Sequence, residues 1–265
     1  MDIATILGFV LAAIGILVGQ AMEGGSIKQI IQPTAALIVG GGTLGAILIS
    51  FPLKTVLQAV KELKDLFFEK QIKPQERIKE IIGYAARARK EGIISLEQET
   101  GKIDDPFLKK ALMMAIDGID PKELRQTMEL ELEHLEEHAE QTPKVYEAGG
   151  GYSPTIGIIG AVLGLIQVMQ HLDNIEEVGK GIAVAFVATI YGVAAANIFL
   201  LPAANKLKIK HKSTVVMKEM ILEGVVSILE GLNPRLIEEK LKSFFAAELP
   251  KAAGEAGRER EQKAA

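Results

Sequence analysis

The chain has 265 residues, of which 48% are hydrophobic and none is cysteine, so disulfides and thiolate-bound metals are excluded. Lys plus Arg number 30 against 34 for Asp plus Glu, a net charge of −4, the wrong sign for a nucleic-acid-binding surface. Charge is unevenly spread: residues 3–22, 29–53, 148–170 and 181–205 contain no Asp, Glu, Lys, Arg or His. Each window reaches about 20 residues or more, the length an α-helix needs to cross roughly 30 Å of hydrocarbon. A helix also pairs its own backbone groups there, which an irregular segment cannot do. The sequence therefore predicts an all-α integral membrane protein with four transmembrane helices.

In chain order, span one follows MDI, which has no basic residue, and ends in Gln20-Ala21-Met22, a poor cleavage site; it is expected to be a mature helix. The hairpin to span two has only Glu23 and Lys28. Beyond span two come Lys54, Lys61 and Lys64, and the positive-inside rule places that end in the cytoplasm. Residues 54–147 then break into helical stretches. Val56, Val60, Leu63 and Phe67 form an apolar stripe, and Pro74 opens a helix with Ile78, Ile81, Ile82 and Ala85 inward. Helices over 106–116 and 121–138 follow, the latter with Leu124, Met128, Leu132 and Leu135 on one face.

Span three leads into HLDNIEEVGK, which is poor in basic residues, and span four ends at Lys206, Lys208, Lys210 and Lys212. Both termini are thus expected in the cytoplasm. A helix over 215–229 ends at Gly231-Leu232-Asn233-Pro234, and another spans 234–245. The final KAAGEAGREREQKAA has no apolar pattern and is expected to be disordered. The predicted organisation is 1–53 (spans one and two), 54–147 (cytoplasmic helical block), 148–205 (spans three and four) and 206–265 (cytoplasmic helices and tail).

Ion and proton pathways usually contain an intramembrane ionisable residue. Here either no ion moves, or a partner brings the charged group. Small residues mark helix–helix packing: Gly40, Gly41, Gly42 and Gly45 in span two, Gly157, Gly160 and Gly164 in span three, Gly181, Ala185, Ala188 and Gly192 in span four. Polar residues are few: Ser153, Thr155 and Gln167, then Thr189, Tyr191 and Asn197. Their hydroxyls either bond back to their own helix or face a partner or hydrated path. Pro154 suits a first helical turn, whereas Pro202 removes a backbone hydrogen bond at the cytoplasmic end of span four. No nucleophile–base pair or metal cluster suggests an enzyme. GGGTLG at 40–45 lies within a span, and His134 and His138 lack a third ligand.

Several stretches carry a resemblance. YSPTIGIIGAVLGLIQVMQHLDN and AVAFVATIYGVAAANIFLLPAANKLK are similar to the third and fourth spans of the MotA family of flagellar motor stator proteins, more distantly related to ExbB and TolQ. ARARKEGIISLEQE, DDPFLKKALMMAIDG and MILEGVVSILEGLNPRLIEEKL resemble the family's cytoplasmic segments, so the likeness covers about residues 1–245. The resemblance implies an inner-membrane protein without cofactor. Five copies would surround two copies of a MotB-like partner whose single span supplies an aspartate. Ion flow along that interface would drive torque on the rotor protein FliG. By match to the family's motifs, Thr189, Ala161 and Thr155 would line the ion pathway, and Pro154 and Pro202 would couple ion binding to movement. Arg89, Lys90, Glu97 and Glu99 would face the rotor. Sodium-driven members carry threonine where this chain has Ala161, which implies H+ rather than Na+. The alternatives are an ExbB/TolQ-like energiser of an outer-membrane system, disfavoured by the two spans that precede the block, and a structural scaffold.

Overall fold

The computed structural model describes residues 2–68 and 73–245. The C-terminal stretch expected to be disordered lies outside the described residues. Among these, all regular structure is helical: α1 (Ile3–Met22), α2 (Ile27–Ile30), α3 (Pro33–Ser50), α4 (Leu53–Phe67), α5 (Pro74–Glu91), a 3₁₀ turn (Ile93–Leu96), α6 (Glu97–Thr100), α7 (Pro106–Ile116), α8 (Pro121–Gln170), α9 (Ile175–Ala194), a π-helical stretch (Ala195–Leu200), α10 (Leu201–Leu229) and α11 (Pro234–Ser243). Proline opens α3, α5, α7, α8 and α11, where its missing N–H would have had no helical partner. Asp105 caps α7 by accepting from the Phe107 and Leu108 amides at 2.9 and 3.2 Å.

Four helical runs are long and apolar enough to cross a membrane: α1, α3, α8 and the run from Ile175 to Leu229. The expected spans are all present, but the separate helices expected over 121–138 and 215–229 are not separate. α8 runs unbroken for 50 residues, and helix continues from span four to Leu229. A change from charged to apolar composition alters what solvates a helix, and does not interrupt its backbone. The sequence around 122–140 is rich in strong helix formers. Pro154 consequently lies deep inside α8, together with Pro143, and does not occupy a first turn. It deprives the Gly150 carbonyl of its usual donor.

The described residues divide into two compact units. In the unit of 2–68 and 137–211, α3 packs on α9 through Ala35, Val39, Val187 and Ala188. α8 and α9 cross in close backbone contact. A Cβ added at Gly192 would lie 2.5 Å from the Ser153 carbonyl oxygen, and one at Gly164 would lie 2.7 Å from that of Gly181. Nearer the cytoplasmic ends, Ile47, Ala59, Leu66, Val145, Tyr146, Ala204 and Leu207 form a second core, where the Tyr146 hydroxyl donates to the Ala59 carbonyl at 2.7 Å. α1 buries no residue. It is held by the Lys206–Asp2 ion pair and by Phe9, whose ring centroid lies 6.1 Å from Phe67 and 6.0 Å from Phe199. Of the expected stripe on α4, Val56, Leu63 and Phe67 pack against the second core beside the buried Ala59 and Leu66, while Val60 is 61% exposed. At a membrane edge an apolar stripe has two favourable destinations, protein and lipid, and periodicity does not separate them.

In the unit of 73–136 and 212–245, one continuous core joins Ile81, Leu96, Phe107, Leu112, Leu124, Met128, Met220, Ile221, Val225, Ile237 and Leu241. Ile78, Ala85 and Leu132 are buried as expected, and Ile82 and Leu135 pack against the same core. Glu223 is half-buried and paired with both Arg125 (2.8 Å) and Lys240. Burial opposes its ionisation, but Lys240 and Arg125 together hold its carboxyl below the usual carboxylate range.

The α8–α9 crossing gives a direct test. Gly192→Ala forces a methyl against backbone that cannot yield cheaply and is expected to destabilise the fold by about 1–3 kcal/mol. Gly83→Ala, in open space within α5, should be neutral or stabilising by up to about 1 kcal/mol. Thermal unfolding of the detergent-solubilised full chain reads both; equal melting temperatures would show that the crossing tolerates a side chain.

Candidate functional site

The α8–α9 crossing brings the intramembrane candidates together. The two helices run antiparallel, so Ser153, Pro154 and Gly157 of α8 meet Ala188, Thr189 and Gly192 of α9. A Cβ at Gly192 would stand 3.2 Å from the Pro154 Cα, and one at Gly157 would stand 3.4 Å from the Thr189 Cα. Ala161 lies one turn beyond Gly157 and is half-buried, beside Gly160, which backs onto the Ala188 side chain. Thr189 is half-buried and its hydroxyl donates to the Ala185 carbonyl at 3.2 Å. Thr155 is exposed and donates to the Tyr152 carbonyl at 2.7 Å. Both hydroxyl protons are therefore spent on their own helix, which leaves the oxygen lone pairs as the available chemistry: acceptors for a donor, or ligands for a cation. Ser153, directly before Pro154, is 1% exposed with no hydrogen-bond partner for its hydroxyl among the described residues.

Pro202 is not brought to this crossing. It follows Thr189 by thirteen residues (189 to 202), roughly 20 Å along a helix axis. It is exposed and lines a groove of about 350 Å³ with Ala4, Thr5, Gly8, Phe9 and Asn197. The π-helical stretch ends two residues before it. Such a local widening is one way a helix accommodates a missing N–H.

The cytoplasmic candidates lie in the other unit, around the turn at Gly92, whose φ of 84° suits glycine. Arg89 and Lys90 occupy the last turn of α5 and Glu97 the start of α6. All three are exposed, and no ion pair engages them among the described residues. Glu99 differs: Lys102 (3.2 Å) and Arg87 both engage it, and together they hold its carboxyl below the usual range. Arg87 also reaches Glu91 at 3.2 Å, tying the end of α5 to α6 across the turn. Sequence reasoning missed Arg87; its only visible signal is the four-residue spacing to Glu91.

A further polar joint was not anticipated. Glu62 of α4 accepts from the Thr142 hydroxyl of α8 at 2.5 Å and lies 3.4 Å from the His211 Nε2 of α10. The Gln58 amide donates to the other carboxylate oxygen at 3.0 Å. The Glu62 carboxylate raises the His211 pKa against the opposing effect of burial. Burial likewise opposes ionisation of Glu62, but His211, Thr142 and Gln58 outweigh it and lower its pKa. Among the described residues, no group of three or more His, Cys, Asp or Glu could hold a metal ion.

Comparison with known proteins places this arrangement. The model of the Motility protein A N-terminal family matches residues 6–91, and that of the MotA/TolQ/ExbB proton channel family matches residues 99–220. Motility protein A of Bacillus subtilis (strain 168) is 38% identical over 248 residues, which is 93% of this chain and 92% of the relative. The solved C. jejuni MotAB structure superposes with a TM-score of 0.90 at 37% identity, covering 96% of this chain and 100% of that one. The flagellar MotAB stator complex from Bacillus subtilis gives 0.85 at 38%, covering 94% and 96%.

The Glu62–His211 joint makes stability depend on pH with a definite sign. A histidine whose folded pKa is raised contributes stability that is complete below its unfolded value, near about 6.5, and is lost as pH rises through the raised value. Melting temperature should therefore fall from pH 6 towards mildly alkaline pH, and His211→Gln should flatten that part of the profile. An unchanged slope in the variant would show that the joint does not titrate with folding.

Proposed function

The chain belongs to the MotA/TolQ/ExbB proton channel family, as a motility protein A member, and from that premise we propose that it is the ion-conducting subunit of a flagellar stator. With a MotB-like partner it couples inward ion flow to torque on the rotor. It is a multi-pass inner-membrane protein with both chain ends on the cytoplasmic side, and its work is conduction and not catalysis. The observation that carries the reading is the pairing of four spans devoid of ionisable side chains with a full-length match to MotAB structures. A conducting pathway needs a titratable group, and the partner's spanning helix supplies it. Five copies around a partner dimer form the assembly.

In this proposal Thr189, Ala161 and Thr155 line the path beside the partner's carboxylate. Pro154 and Pro202 are the two points where the helices yield as the carboxylate loads and unloads. The transported ion is H+: Ala161 has no oxygen to replace part of a sodium hydration shell, and a proton needs none. Residues 54–147 form the rotor-contacting block between the span pairs 1–53 and 148–205, with 206–265 completing the cytoplasmic part. Arg89, Lys90 and Glu97, exposed and outside the ion pairs around them, face FliG, and Glu99 belongs to the same surface. Complementary charge there sets register and encounter rate more than affinity, which suits a contact made and broken at every step.

Two variants test the reading in a motile host lacking its own stator subunit. Arg89→Glu should cut bead-rotation torque several-fold with unchanged membrane abundance. Normal torque would remove Arg89 from the rotor face. Thr189→Val should lower ion throughput without altering topology. For the ion, rotation should persist without sodium and stop with a proton uncoupler; the reverse result would identify Na+.

A further inference from the structure

α2 ends at Ile30 and α3 begins at Pro33, and the two residues between them are extended: Ile31 at φ −84°, ψ 100° and Gln32 at φ −128°, ψ 99°. Pro33 causes this break, since its ring drives the preceding residue out of the α region and it brings no N–H of its own. The break falls inside the charge-free window 29–53. It lies at the edge of that window, just before the membrane-length helix Pro33–Ser50, where backbone groups without a helical partner still require one from elsewhere in the protein or from water. Tyr191 meets the requirement from α9. Its hydroxyl donates to the Ile30 carbonyl at 2.6 Å and accepts from the Gln32 amide at 3.2 Å. One phenol thus pairs an acceptor and a donor on either side of the break, while its ring packs against the Ala35, Val39, Val187 and Ala188 cluster.

The neighbours of Tyr191 give this bond its consequence. Thr189 lies two residues before it, and Gly192, immediately after it, admits the Ser153 carbonyl and Pro154. Consecutive residues of α9 therefore grip two different helices, α3 through the phenol and α8 through the glycine. Sliding or turning α9 against the start of α3 breaks both phenol bonds at once.

We propose that Tyr191 is a positioning residue for the ion pathway, fixing the depth and rotation of Thr189 by clamping α9 to the Ile31–Gln32 break. This rests on Thr189 facing the partner's helix. The native chain has no cysteine, so disulfide mapping is clean. In the full complex, Thr189→Cys is paired with single cysteines scanned along the spanning helix of a cysteine-free partner, with Tyr191 or with Tyr191→Phe. With Tyr191 one position should dominate; with phenylalanine the maximum should shift or spread over a helical turn, at equal membrane abundance. In chains that keep Thr189, Tyr191→Phe should reduce ion influx about tenfold, as expected when two backbone groups lose their partner at once. Para-aminophenylalanine at 191, which restores a donor, should recover much of it. An unchanged crosslink profile overturns the proposal, and so does a loss of membrane abundance, which would make Tyr191 a part of the fold alone. If the Thr189→Cys chain crosslinks nowhere along the partner while both proteins assemble, the partner-facing reading of Thr189 has failed, a different result from an unmoved maximum.

Discussion

In lipid, each backbone amide and carbonyl must find its partner inside the protein, and the four charge-free stretches are organised by that requirement. It accounts for the helix kept across each charge-free stretch of α8 and of the run from Ile175 to Leu229. It also makes every interruption of the ladder conspicuous. There are three kinds among the described residues: the extended pair Ile31–Gln32, the interior proline Pro154, and the π-helical stretch ending shortly before Pro202. The first is compensated by a phenol from another span, and the last by a local change in helical pitch. At Pro154 the ladder loses one donor, and Gly192 of α9 lies directly against the proline. Irregular backbone therefore coincides with the proposed ion path and its coupling points.

Packing within the membrane follows from a second limit. Lipid tails are as apolar as leucine, so helices associate there through close fit and not through a hydrophobic drive. Gly157, Gly164, Gly181 and Gly192 use that fit inside the chain, bringing α8 and α9 backbone to backbone. Gly40, Gly41 and Gly45 of α3, and Gly8, Gly15 and Gly19 of α1, meet nothing in the chain. α1 buries no residue at all. Small residues thus fall into two populations, one spent on the protomer's own crossing and one left on its outer faces, as a subunit that works only within an assembly requires.

The spans were legible because the signal, an absence of charge, is local and long. Helix continuity was not, since a shift in composition resembles a boundary without being one. On α4 the stripe was legible except at Val60, which faces outward. Side-chain bonds between distant segments left no trace in any pattern: Tyr191 reaches residues about 160 positions away, and His211 meets Glu62 from a helix far along the chain. The glycines of α8 and α9 were visible as small residues, but which of them face each other is a property of the crossing. Roles for Arg89, Glu97, Pro154 and Thr189 came from family resemblance, because nothing in spacing or composition distinguishes a rotor-facing arginine from a solvated one.

The neutrality of the spans has a further consequence for the proposed mechanism. A carboxylate placed against a lining without charge experiences desolvation unopposed, which raises its pKa towards the range where it can take up and release a proton under cellular conditions. A lysine in that lining would hold it ionised, and a second carboxylate would share its proton. Two of the lysines at the cytoplasmic end of span four are compensated where they stand: Lys206 is tied to Asp2 and Thr5, and Lys208 lies 2.5 Å from Glu147. Compensated lysines still anchor the helix ends at the interface, while contributing little repulsion towards a proton leaving the path. Topology and conduction thus make opposite demands on positive charge at the same boundary, and local ion pairs reconcile them.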